Sequence, residues 1–70
     1  MEQFIIKKDF ITVSQFLKVQ GYITSGGQTG FFLDNNKVLL NGVSVTQKKK
    51  KIFNGDLLFI NNDGFKFSYD

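Results

Sequence analysis

The sequence contains no cysteine and no histidine. Without cysteine there is no disulfide framework, thiolate nucleophile or zinc-ribbon ligand set, and nothing speaks for an oxidising compartment. Without histidine as well, the usual nucleophile–base pairs and the common zinc sites cannot be assembled. Carboxylates, lysine, tyrosine and hydroxyl residues alone are left for acid–base work, so the composition points away from an enzyme. The six acids, Glu2, Asp9, Asp34, Asp56, Asp63 and Asp70, are dispersed. None forms a calcium-loop pattern or a carboxylate pair; they read as turn and surface residues, and neither metal nor cofactor is expected. Long apolar runs are missing too: the longest, such as Leu57 to Ile60, have four residues, against the ~20 that cross a bilayer. Met1 to Asp9 carries charges and lacks a signal-peptide core, so a cytoplasmic protein that does not enter a membrane is expected.

What is present is concentrated. The net charge of +3 rests on nine lysines, four of them the consecutive run Lys48, Lys49, Lys50 and Lys51; the rest of the chain sums to −1. At 70 residues the expectation is one domain over 1–70, acting as a monomer. So short a chain has little core to work with, about 3–5 kcal/mol. Nine phenylalanines and two tyrosines answer that shortage, since each large ring buries ~150–250 Å². Core packing is therefore the first use of the aromatics, and base stacking the second.

Along the chain, Phe4-Ile5-Ile6 reads as a short, edge-like strand. Thr12 and Gln15 have the spacing of a capping box, with Ile11 and Phe16 as its hydrophobic staple, so a helix starts at Val13. Val13, Phe16, Leu17 and Val19 or Gln20 form its apolar face, and Gly21 ends it. Ser25 and Gln28 repeat the box spacing and predict a second helix from Gly26 to Asn35 or Asn36. Gly26, Gly27 and Gly30 are poor helix formers, at ~1 kcal/mol each against alanine in a helix interior. Close approach of the first helix, or of a ligand phosphate, would select them.

After Lys37 the period changes. Val38 to Leu40 and Val43 to Val45 flank Asn41-Gly42, the signature of a hairpin with a type I′ turn. The lysine run leads into Ile52-Phe53, Asn54-Gly55-Asp56 turns before the strand Leu57 to Ile60, and Asn61 to Gly64 turns again. Phe65, Phe67 and Tyr69 then alternate with Lys66 and Ser68. The layout predicts an α+β fold in which two short helices pack on one side of a small, mostly antiparallel sheet.

Thr12-Val13-Ser14-Gln15-Phe16-Leu17-Lys18, then Ser25-Gly26-Gly27, then Val38-Leu39-Leu40-Asn41-Gly42, a basic cluster at Lys48 to Lys51, and Gly55-Asp56 follow one another in an order that resembles the S4 domain, the αL RNA-binding module. Within that family the chain is most similar to the small free-standing YaaA-like members, over residues 3 to 69. The resemblance implies a surface for structured RNA, ribosomal or transfer RNA, across the two helices and the adjoining basic segment. Two departures stand out. Gly30 occupies the position where the family usually has a basic residue, and this chain has no arginine. Lysine keeps the charge without the planar bidentate fork, so a phosphate grip is expected in place of a reader of base edges.

The expected RNA contacts are Lys48, Lys49, Lys50 and Lys51, with Lys18 and Lys37 widening the patch. Ser25 and the amides of Gly26, Gly27 and Gln28 form a second phosphate contact at the opening of the second helix. No small-molecule substrate is expected. Against this stands a protein-interaction module of the β-grasp kind, acting through Phe65 to Tyr69 as an exposed edge strand. The plainer reading of the lysine run is a solvated loop whose charges serve solubility.

Overall fold

The apolar run near the amino terminus, Glu2–Ile6 (β1), is an edge strand whose partner lies at the other end of the chain. It runs parallel to Asp63–Tyr69 (β7), with Phe4 opposite Phe67 and Ile6 opposite Tyr69. The structure, a computed structural model, describes residues 1–70. Val38–Leu40 (β3), Val43–Ser44 (β4) and Leu57–Ile60 (β6) complete a five-stranded sheet in the order β1-β7-β6-β3-β4. All its pairings except β1 with β7 are antiparallel. Phe65 to Tyr69 is therefore not an exposed edge. Bonded to β1 on one side and β6 on the other, β7 has no open backbone to offer a partner strand, which overturns the edge-strand docking of the interaction-module alternative.

Each turn is built by residues suited to it. At the β3–β4 hairpin, Asn41 and Gly42 have φ of 51° and 84°, the two positive angles that a type I′ turn requires. Asn41 does more than turn. Its Oδ1 accepts from the Leu57 amide at 2.9 Å and its Nδ2 donates to Asp56 at 3.0 Å, which ties the hairpin to the start of β6.

Helix α1 (Val13–Val19) begins as its sequence predicts. Thr12 Oγ1 accepts from the Gln15 amide at 3.1 Å, and Gln15 Oε1 accepts from the Thr12 amide at 2.9 Å. The helix ends in a Schellman motif: Gly21, at φ 82°, donates to the Lys18 carbonyl, and Tyr22 donates to that of Leu17. Val13, Phe16 and Leu17 are buried, whereas Val19 is exposed and does not join the apolar face.

The second helix starts later than expected. Gly26–Gln28 forms a 3₁₀ turn, and α2 proper is Thr29–Asn35. The Gln28 amide reaches back three residues to the Ser25 carbonyl, and Gln28 Oε1 is held by the Thr24 amide at 2.7 Å. These contacts tighten the opening turn. At the other end Asn35 and Asn36 donate side-chain amides to the carbonyls of Phe31 and Phe32. Neither helix is long and apolar enough to cross a membrane.

The core lies between α1 and one face of the sheet. Phe16 projects from α1 into a ring of aromatics, with centroids 5.0 Å from Phe4 and 4.9 Å from both Phe65 and Phe67. These edge-to-face contacts add to the area that the rings bury. Leu58, Ile60, Val38 and Leu40 extend the same face. A second, two-stranded ribbon joins Ile11–Thr12 (β2) to Lys51–Ile52 (β5), antiparallel. The end of the lysine run and Ile52 thus pair beside α1 and outside the main sheet.

Candidate nucleic-acid interface

The lysine run follows from where the hairpin leaves the chain. After β4 the Val45 amide still bonds the Val38 carbonyl, and Gln47 to Lys50 closes a hydrogen-bonded turn of 3.1 Å. This turn lies across the beginning of α1. The Val13 amide donates to the Lys50 carbonyl at 2.8 Å, and the Ser14 amide donates to the Lys48 carbonyl at 3.1 Å. Helix amides that lack an intrahelical acceptor are thereby satisfied by the backbone of the basic segment. The run is fixed by its main chain while all four lysine side chains stay exposed.

Because the run turns, its side chains separate into consecutive pairs and do not alternate as an extended strand would. Lys48 and Lys49 line a cleft of about 390 Å³ together with Thr12, Ser14 and Gln15 of the α1 start and with Gly26 and Gly27. No apolar side chain lines it. Lys50 and Lys51 line a second cleft, of about 470 Å³, on the hairpin side. The one ion pair in the structure joins Lys7 and Asp70 at 3.1 Å, so no carboxylate neutralises the run.

The glycines of the first cleft are not there for helix packing. A Cβ on Gly26 would meet only Ser14 Oγ, at 3.6 Å, an ordinary contact; on Gly27 it would meet only Ser25 Oγ, at 3.9 Å; on Gly30 it would meet nothing within 4 Å. What joins the two helices is a hydroxyl relay. Thr29, fully buried, donates to the Gly26 carbonyl at 2.9 Å and lies 2.8 Å from Ser14 Oγ. A threonine hydroxyl has one proton, so Ser14 is the donor in that pair.

The remaining predicted contacts are spread out. Ser25 is exposed at the edge of the 3₁₀ turn, while the Gln28 amide is taken by the Ser25 carbonyl and is not free for a ligand. Lys18 lines a separate groove with Phe10, Val19, Lys7 and Lys8. Lys37 lies between α2 and β3, its amide and carbonyl both bonded to Asn61. Sequence reasoning missed Ser14 and Thr29; the signal was a serine one residue into α1 and a threonine just after the glycines, both unremarkable until the helices meet. It also missed Tyr22, whose hydroxyl donates to Asp63 at 3.0 Å. Burial first, then that hydrogen bond, holds the Tyr22 phenol above its ordinary 10.0.

The comparisons with known proteins agree with this layout. A family model described as S4 domain matches residues 4–67. A relative from Bacillus subtilis (strain 168), described as a probable ribosome maturation protein, RlbA, is 36% identical over 59 residues, covering 84% of this chain and 83% of the relative. With the family's motifs in order and its model matched over nearly the whole length, the chain belongs to the S4 domain family.

Proposed function

We propose that this chain is a non-catalytic RNA-binding protein, one domain acting alone, that grips structured RNA of the ribosomal or transfer type by its phosphate backbone. The observation that carries the reading is the lysine run: four exposed cations on a segment anchored by backbone hydrogen bonds to α1, with no acid paired to them. Like charges in sequence repel, so the run is unfavourable by itself and becomes favourable once a polyanion neutralises it. The purely polar cleft at Lys48 and Lys49 fits a phosphate, and the bare backbone of Gly26 and Gly27 leaves its far wall low. Ser25 stands at that wall's edge, and Lys18 and Lys37 serve as outlying contacts. Membership of the S4 family and a relative described as a ribosome maturation protein support an RNA of the ribosome, in the cytoplasm.

The test is the salt dependence of binding to ribosomal RNA fragments. With two to four phosphates neutralised, log affinity falls against log salt with a slope of roughly −1.5 to −3.5. An affinity indifferent to salt would remove the phosphate grip.

A further inference from the structure

The second cleft differs from the first in chemistry. Besides Lys50 and Lys51 it is lined by Phe53 and Val43, which are 45% and 69% exposed. Phe53 does not belong to the core or to the residues packed against it. Its ring meets only one other aromatic, Phe10, at 6.0 Å, and the Lys51 ammonium lies 4.7 Å from the Phe10 ring. A phenylalanine has no polar tip to satisfy in water, so its half-open ring beside two cations is a surface for something flat, apolar and attached to negative charge.

The one acid in the cleft, Asp56, is already committed: Oδ2 accepts from the Phe53 amide at 2.8 Å and Oδ1 from Asn41 at 3.0 Å. It fixes the Phe53 backbone and leaves the two lysines in excess. Asn41 spends both its amide groups on Asp56 and Leu57, while Ser44, Thr46 and Gln47 also line the cleft. The cleft's 470 Å³ falls within the ~300–1,000 Å³ of small-ligand sites.

We infer that this cleft takes an unpaired nucleotide of the bound RNA, its base stacked on Phe53 and its phosphate held by Lys50 and Lys51. The inference rests on the RNA-binding reading and adds a division within it. Lys48 and Lys49 meet backbone phosphates in a cleft without apolar lining, while Lys50 and Lys51 serve a site that needs a base freed from its helix. Stacking on a phenylalanine ring is tolerant of base identity and strengthens with ring size, so the site favours the larger purines.

Fluorescence anisotropy with two end-labelled probes separates the claims: a short oligoadenylate and a blunt RNA duplex. Phe53→Leu keeps an apolar contact with Phe10; it weakens the oligoadenylate roughly 5- to 100-fold and leaves the duplex unchanged, while Phe53→Trp retains both. Equal oligoadenylate affinity for wild type and Phe53→Leu overturns the stacking site. If the wild type binds duplex and not oligoadenylate, the inference fails while the RNA-binding reading stands; if it binds neither, both fail.

Discussion

The carbonyl of Lys48 accepts a hydrogen bond from the Ser14 amide at 3.1 Å, so the most charged segment of the chain is held by its backbone and not by its charges. Anchoring and charge can therefore be separated by mutation. Replacing Lys48 and Lys49 by glutamine removes two exposed cations and no structural contact, and surface changes of this kind stay within about 0.5 kcal/mol each. The melting temperature should shift by no more than about 8 °C, while the slope of log RNA affinity against log salt becomes shallower by roughly 1.5–2. A large loss of thermal stability would mean that the side chains hold the segment after all.

The first cleft is also open to a change of sign. Gly27→Glu adds a carboxylate at the cleft that Gly26 and Lys48 also line, with nothing but Ser25 Oγ near its Cβ. It should fold normally and bind RNA more weakly than wild type, since it repels the phosphate and pairs with the lysines. Unchanged RNA affinity would confine the contact to the lysines.

The hydroxyl relay from Ser14 through Thr29 to the Gly26 carbonyl is a stability element. Thr29→Val keeps the shape and removes the hydroxyl, leaving a carbonyl and a serine proton short of a partner. A cost of about 1–3 kcal/mol is expected, read as a lower urea midpoint, with Thr29→Ser recovering much of it. Equal midpoints for Thr29→Val and wild type would assign the helix junction to packing alone.

Asn41 separates backbone from side-chain effects. Asn41→Gly keeps the positive φ without strain but loses the bonds to Leu57 and Asp56. Asn41→Ala loses both, and the left-handed conformation should cost it roughly 1–2 kcal/mol more than the glycine variant. Calorimetry on the two variants measures that difference directly.

Tyr22 gives a handle on pH. With its phenol raised above 10.0, the folded protein holds that proton more tightly than the unfolded chain. The stabilisation is fully present below about pH 10 and is lost as pH rises through the folded-state value. In a Tyr69→Phe background the single remaining tyrosine should ionise above 10.0 by absorbance titration. Asp63→Asn should lower the value only in part, because burial is the larger cause. Ionisation at or below 10.0 would mean that the ring is wetter than the fold implies.

Local chemistry was the legible part of this chain. Thr12 and Gln15 announce α1, Gly21 its stop, and Asn41-Gly42 the turn type, because each acts within a few residues of itself. The aromatic alternation of β7 was equally plain. Strand order was not. Phe65 to Tyr69 reads as a good strand whether it lies at an edge or in the middle, and only the arrival of β1 decides between them. Two-residue strands such as Ile11–Thr12 carry no period to detect. At the site, the charge of Lys48 to Lys51 was obvious, but its division between two clefts depends on two carbonyls bonding α1, and no side-chain pattern records that.

The parallel pairing of β1 with β7 has a consequence in time. Every β1 residue meets a partner 63 positions further along the chain. During synthesis Phe4 therefore waits, unpaired, until Phe67 has been made, while α1 and the Asn41-Gly42 hairpin can form from neighbouring residues. Contacts this distant in sequence slow folding, since the loop entropy must be lost before the contact rewards it. The sheet closes only once Asp63–Tyr69 can reach β1, so α1 and the hairpin stand to form before the strand order is complete.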